Sequence, residues 1–214
     1  MSDVSDLTHV IPPQQERSTR FLIRVLEAAE RILRRDGVEG LTMPAVALEA
    51  GVSVGGIYRR FQTKQDLLRA IKDRHLTRSE QVMATAMEGE LHSLDEVVQV
   101  FLTTLIRDSG SASGSESLFA VIMESACDDA VMRARGHVSA ERQRASFAEA
   151  VRPFRGQITH PDPDLAIEMA FLVAISVFMR QVKMDRRAGA PISWTDLRRE
   201  LARAMAAYLR APMN

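Results

Sequence analysis

From residue 17 onward, apolar side chains recur at intervals of three and four, and no stretch alternates apolar with polar as a strand would. Over 17–36 the stripe is Phe21, Leu22, Val25, Leu26, Ala29, Ile32 and Leu33, with Gly37 behind it as a helix stop. Thr42 can cap a second helix of about two turns, and Pro44 falls in its first turn, where a missing N–H does little harm. Gly51-Val52-Ser53 reads as a turn. Ser53 can then cap a short third helix over 54–60, and Thr63 a fourth over 64–88, with Asp66 at the N3 position of a capping box.

Further helices are predicted over 94–107, 116–134, 138–151, 164–186 and 193–210. The expected breaks are SGSASGS (109–115), RGHV (135–138), RGQITHPDPD (155–164) and AGAPIS (188–193). The pattern therefore predicts an all-α chain. A flexible arm (1–16) precedes a three-helix, helix-turn-helix domain (17–63), a connecting helix (64–88) and a larger helical bundle (89–214).

The 214 residues are 46% apolar, enough for a real core, and the net charge is zero. The charge is unevenly spread, however. Residues 17–78 carry 13 Lys and Arg against 7 Asp and Glu, whereas 79–214 carry 15 against 18. A basic N-terminal third on a mildly acidic body points to a polyanion partner for one end only. The single cysteine, Cys127, excludes an intramolecular disulfide, and no Cys/His cluster has metal-ligand spacing. Residues 1–16 lack a basic-then-apolar signal segment, so a reducing cytoplasm is the expected compartment.

Helix, glycine turn and short helix suit DNA: the first helix of the pair braces the backbone while the second enters the major groove. Small Ala47 permits a close crossing, Gly51 can adopt a left-handed turn, and Val46, Val52, Ile57 and Phe61 supply a core. Lys64 stands in a first helical turn, where the macrodipole disfavours a cation but free N–H groups favour a phosphate. Tyr58, Arg59 and Arg60 lie near the same rim.

The stretch LTMPAVALEAGVSVGGIYRRFQTKQDLL (41–68), behind a first helix and Gly37, resembles the TetR-type (TetR/AcrR) transcriptional regulators. The resemblance is strong over 17–75, because AGVS-x-G-x-(I/L)Y-x-x-F-x-x-K-x-x-LL fixes about ten positions; beyond that it extends to helical character and length. It implies that Thr42 is a phosphate-contacting cap, and that Val54, Gly55 and Gly56 stand at the groove-facing start of the recognition helix. Tyr58 and Lys64 would clamp phosphates, and Arg59 and Arg60 would reach bases or backbone. Two positions depart from the family: Pro44 replaces a residue often polar or basic, and Gly56 replaces a small side chain that often meets a base edge. The loss at 56 would shift the specificity burden to Arg59, Arg60 and DNA shape.

In the bundle, LAIEMAFLVAISVFM (165–179) is apolar nearly all round, yet at 15 residues with Glu168 inside it is too short and flawed to span a bilayer. One side can meet its own domain and the other needs a partner. Phe171 and Ile175 on this helix, with Leu197, Leu201, Met205 and Tyr208 on the last, are the candidate homodimer interface. The competing reading packs both helices within one monomer.

The resemblance also implies an effector cavity in the bundle, for which Phe101, Leu105, Phe119, Met123, Cys127, Phe147, Met169 and Phe178 are candidates. Such a stripe at helical spacing is more often ordinary core. Arg180 could pair an acidic ligand or lie at the surface, and Cys127 could sense oxidants or be a buried inert thiol. His75, His92, His137 and His160 show no spacing for a metal or a triad.

No cofactor is expected, and no nucleophile–base pair suggests an enzyme. The expected function is a homodimeric, ligand-responsive repressor that binds a pseudo-palindromic double-stranded operator and is released by an unknown small molecule. The rival is a helical small-molecule-binding protein whose DNA role is vestigial.

Overall fold

The computed structural model describes residues 13–108, 118–125, 129–188 and 192–212, with side chains described for 17–107, 118–122, 129–184 and 192–212. The expected arm (1–16), the SGSASGS loop, the side chain of Met123 and all of Cys127 lie outside them, apart from the helical backbone of 13–16. Every element among the described residues is helical. Two compact units meet in sequence between Ile71 and Lys72.

The first unit holds α1 (Pro13–Gly40), α2 (Met43–Ala50), α3 (Val54–Tyr58) and the start of α4 (Lys64–Met87). The predicted stripe of α1 faces inward, with Val25, Leu26, Ala29, Ile32 and Leu33 buried, as are Leu41, Val46 and Ile57 of the same unit, and α1 packs on α2. Regular helix breaks at Gly37, whose φ of 66° only glycine adopts without strain, and one further turn carries the chain to Gly40. Thr63 and Asp66 form the capping box at the head of α4: each backbone N–H donates to the other's side chain, at 3.0 and 3.1 Å.

The second unit holds the rest of α4, α5 (Leu94–Asp108), α6 (Leu118–Ser125), α7 (Ala130–Val151), a 3₁₀ turn (Arg152–Gln157), α8 (Pro163–Ala188) and α9 (Trp194–Leu209). α5 and α8 both pack on α9, and α7 packs on α5 and α8. At the centre Phe101 meets Phe147 and Phe171, with ring centroids 4.7 and 5.8 Å apart. The last helix is tied down by Arg210, which donates from both terminal nitrogens to the two oxygens of Asp95 at 2.8 Å.

Three boundaries differ from expectation: α1 begins at Pro13, inside the expected arm, α3 ends at Tyr58 rather than 60, and α7 is not divided. RGHV (135–138) is not a break: α7 runs unbroken from Ala130 to Val151, and the predicted 116–134 helix is instead α6 plus the first turn of α7. The start of α7 is set by Asp129, whose Oδ1 accepts from the N–H groups of Val131 and Met132. Gly136 costs the helix about 1 kcal/mol relative to alanine. Its neighbour Arg135 offsets this by donating to Asp73 and Glu80 of α4 at 2.6 and 2.5 Å.

α8 is also longer than its apolar run. Its stretch Pro163–Met184 has the length and hydropathy of a membrane span, but 44% of that stretch is buried inside the protein. Ala166, Ala170, Phe171, Ala174 and Phe178 form the inward side.

Candidate nucleic-acid interface and ligand cavity

The tip of the first unit is built by caps. Thr42 Oγ1 accepts from Ala45 N at 3.2 Å and starts α2. Gly51 (φ 62°) ends it in the left-handed conformation, and its N–H and that of Val52 return to Leu48 O and Ala47 O. Arg24 of α1 locks this turn, donating from Nη2 to Ala50 O at 2.6 Å and Gly51 O at 3.0 Å. Ser53 Oγ then accepts from Gly56 N at 3.1 Å and starts α3.

Five residues of helix cannot stand on propensity, least of all with two glycines, so packing holds α3 in place. Ile57 is fully buried and Gly56 is buried beside it, leaving Val54, Gly55, Tyr58, Arg59 and Arg60 outside. Gly56 thus departs from its predicted groove-facing place. A Cβ there would lie 3.1 Å from Ser53 Oγ and 3.2 Å from the Phe21 ring, so the glycine makes room for α1. At Gly55, by contrast, a Cβ would meet nothing within 4 Å.

Charge on this unit is largely spent internally. Arg31 and Arg35 pair with Glu49, Arg34 with Glu30, and Arg35 also with Asp36. The hydrogen bond from Arg31, with lesser help from Arg35, holds the Glu49 carboxyl below its usual range against a smaller desolvation effect. Arg60 reaches Ser18 Oγ at 3.4 Å, and both Arg59 and Arg60 remain exposed beside the half-exposed Tyr58. Lys64 is partly committed: Nζ donates to Val38 O at 2.5 Å, which satisfies a carbonyl just past the Gly37 break. Two of its three N–H groups stay available for a phosphate.

In the second unit, α4, α5, α6, α7 and α8 enclose a cavity of about 610 Å³. Its interior is apolar, with Leu76, Leu105 and Phe178 buried and Phe119 and Ile175 partly so. A ring series runs along its wall from His75 to Phe119 to Phe178, at centroid distances of 5.4 and 5.7 Å, and Phe178 meets Trp194 beyond the lining at 5.9 Å. Polar lining comes from Lys72, Arg133, His137, Ser139, Gln143 and Lys183. Lys72 is only 2% exposed, and its Nζ donates to Met132 O at 2.8 Å. Gln143, 7% exposed, reaches Ser139 Oγ through Nε2 at 3.4 Å, but among the described residues no donor meets its Oε1.

Residues 25–71 match the sequence model of the family described as bacterial regulatory proteins, tetR family. The N-terminal unit is a tetR-family domain. An HTH-type transcriptional regulator of Staphylococcus aureus (strain USA300) is 33% identical over 88 residues, which make up 39% of this chain and 45% of that protein. The chain therefore matches less than half the length of that relative. Among solved structures, a TetR-family transcriptional regulator of Mesorhizobium loti MAFF303099 has a TM-score of 0.69 at 20% identity, over 90% of this chain and 96% of that one. FadR of Bacillus subtilis, solved in complex with stearoyl-CoA, has a TM-score of 0.65 at 14% identity, over 87% and 98%. These likenesses show a shared fold.

Around this tetR-family domain, the sequence-predicted sites divide unevenly. Leu105, Phe119 and Phe178 line the cavity. Phe101 and Phe147 do not; with Phe171 they form the sealed ring cluster beside it. Met169 lies on the outside of α8, and Arg180 is exposed. Among the interface candidates, Phe171, Leu197, Leu201 and Met205 are buried within their own unit, Tyr208 is half-buried against the His160 ring, and Ile175 turns into the cavity. The outward apolar face of α8 is made instead by Leu165, Met169, Leu172 and Val173.

A clamp beside the cavity fixes α4 to α7. Glu80, its side chain 9% exposed, accepts from Arg135 at 2.5 Å and Arg142 at 2.6 Å. Burial pushes its carboxyl up, but hydrogen bonds from Arg135, Arg142 and Ser139 together outweigh that and hold it below the ordinary range. A depressed folded-state pKa means that the stabilisation is complete above the unfolded value of 4.5 and is lost as pH falls through the folded value. Glu80→Gln should cost about 1–2 kcal/mol at pH 7, between an exposed and a buried pair. It should also flatten the acid limb of a urea-denaturation series between pH 7 and 3. Parallel pH profiles for variant and parent would show that the clamp contributes nothing.

Proposed function

We propose that this chain is a homodimeric DNA-binding transcriptional regulator of the cytoplasm, a repressor that a small molecule releases from its operator. The observation that carries the DNA reading is the division of α3. Gly56 and Ile57 are buried to hold the helix, while Val54, Gly55, Tyr58, Arg59 and Arg60 are presented to solvent. Bare backbone at Gly55 permits close approach to the groove floor, Arg59 and Arg60 supply charge and base-edge donors, and Thr42 and Tyr58 supply phosphate contacts. The tetR-family match over 25–71 supports the same reading.

A two-fold partner is supported by α8, whose Leu165, Met169, Leu172 and Val173 form an exposed apolar strip at helical spacing. Two copies joined there, with α9 flanking, would set a pair of recognition helices on a pseudo-palindrome. A ligand site is supported by the cavity of about 610 Å³, within the range of small-molecule pockets. α4 runs unbroken from Lys64 of the capping box to Met87 and contributes Lys72, His75, Leu76 and Ser79 to that cavity. A ligand that favours one setting of α4 over another would change operator affinity by its differential binding. That FadR of Bacillus subtilis was solved with stearoyl-CoA supports a bundle of this fold as a ligand host. The reading of a vestigial DNA role draws on Gly56 and Pro44; packing against Phe21 accounts for the glycine at 56, and Pro44 sits in the first turn of α2.

Footprinting on the DNA upstream of its own gene, at 50–200 mM salt, tests the proposal. The expected result is two protected half-sites about one helical turn apart, with affinity falling steeply as salt rises. Arg59→Ala or Arg60→Ala should each weaken binding about tenfold, within the 1–3 kcal/mol of a base contact. A salt-independent interaction, or one indifferent to both arginines, would remove α3 as the reader.

A further inference from the structure

The cavity of the second unit has a chemical asymmetry that specifies its ligand. Its described lining includes Lys72, His75, Arg133, His137 and Lys183 and no Asp or Glu. These groups are not scattered. Arg133, Gly136, His137 and Ala140 follow one another at helical spacing on one face of α7, and Lys72 Nζ comes within 3.9 Å of where a Cβ on Gly136 would stand. Arg133, His137 and Lys183 are exposed, so they sit where the cavity opens; Leu76, Leu105 and Phe178 are buried, so they form its depth. A neutral apolar ligand would leave the basic rim unused, and a cationic ligand would be repelled by it.

We infer that the cavity binds an anionic amphiphile, its acidic head held at the rim by Lys183, Arg133 and His137 and its hydrocarbon body laid against Leu105, Phe119 and Phe178. This rests on the reading of the cavity as the effector site and adds the class of effector. A carboxylate or a phosphate can serve as the head, since both accept from ammonium and guanidinium donors. The chain also carries its own reporter. Trp194 is its one tryptophan, and its ring meets Phe178 in a tilted contact at 5.9 Å, so a ligand against Phe178 perturbs its fluorescence.

The test titrates the full chain with four probes that share a ten-carbon body: decanoate, decanoyl-CoA, decanol and decyltrimethylammonium. All are kept below micelle formation and are followed by Trp194 fluorescence and calorimetry. At least one of the two anions should bind about tenfold or more tightly than decanol, equivalent to one charge-assisted contact, and the cation should bind more weakly still. The ratio of decanoate to decanoyl-CoA affinity separates a free acid from a phosphate-bearing thioester. The Arg133→Gln/Lys183→Gln double variant, at two exposed positions and with its fold checked by circular dichroism, should lose about tenfold in anion affinity while decanol changes by less than about twofold. Lys72→Met adds a buried counterpart whose folding is checked by circular dichroism. Equal binding of decanol and the anions, preference for the cation, unchanged anion affinity in the double variant, or no binding of any probe overturns the inference. Operator binding is measured separately: anion binding without any change in DNA affinity keeps this ligand class and rejects the regulatory reading, whereas DNA binding without anion binding does the reverse.

Discussion

Phe101→Ala is expected to destabilise the C-terminal unit by about 3–5 kcal/mol, the range for removing a large side chain from a packed core. Phe101 is fully buried, and its ring meets Phe147 at 4.7 Å and Phe171 at 5.8 Å in tilted contacts. Truncation therefore removes transfer energy, leaves a void and breaks two ring pairs, each worth about 0.5–1.5 kcal/mol. Phe171→Ala should behave similarly. The next residue, Leu172, is 54% exposed in a single chain, so Leu172→Ala should leave the fold of one subunit within about 0.5 kcal/mol and act instead on the proposed contact between copies. Urea unfolding followed by circular dichroism separates the two outcomes. A loss below about 1 kcal/mol for Phe101→Ala would mean that the ring cluster is not the centre of the core.

That contrast shows what could be read from the sequence and what could not. The apolar period alone places helices over nearly the whole chain, because a 3.6-residue stripe has one physical explanation. It cannot separate Phe171 from Leu172 on a helix that is apolar all round, since either face is hydrophobic enough to be the inner one. The same ambiguity hid the cavity. Leu68, Lys72 and Leu76 lie four apart, as do Ser139, Gln143 and Phe147, so one polar residue in α4 and two in α7 interrupt a buried stripe. Those interruptions are the signal that would have pointed to Lys72 and Gln143; aromatic and methionine content pointed instead to Phe101 and Phe147, which seal the core. RGHV misled for a related reason: Gly136 is a weak breaker when Arg135 is held by Asp73 and Glu80.

The helix-turn-helix was legible to the level of single caps, because Thr42, Gly51, Ser53 and the Thr63/Asp66 pair each perform a local task that few other residues can. What spacing could not give was which of two adjacent glycines faces outward. On a five-residue helix, one position turns the side chain by about 100°.

The two glycines are accordingly expected to respond in opposite ways to the same substitution. At Gly56 a Cβ already lies 3.1–3.3 Å from Ser53 Oγ and the Phe21 ring, and the two methyls of valine would have to displace that ring from α1. Overpacking of this kind costs about 1–3 kcal/mol or more. The burden falls on a helix held by Ile57, Phe21 and the Ser53 cap, since five residues carry no stability of their own. Gly56→Val should therefore lower hydrogen-exchange protection at Ile57 and in α2 by about 5- to 150-fold, the equivalent of that cost. It should weaken operator binding in parallel, because the competent reader is then only partly populated. Gly55→Val meets open space, so protection should hold or rise slightly as a glycine leaves a helix. DNA affinity should nevertheless fall, because the added side chain stands between backbone and groove. The double variant Phe21→Ala/Gly56→Val supplies the decisive comparison: opening the space behind position 56 should recover part of the lost protection. If it recovers none, the contact with Phe21 is not what keeps this residue a glycine.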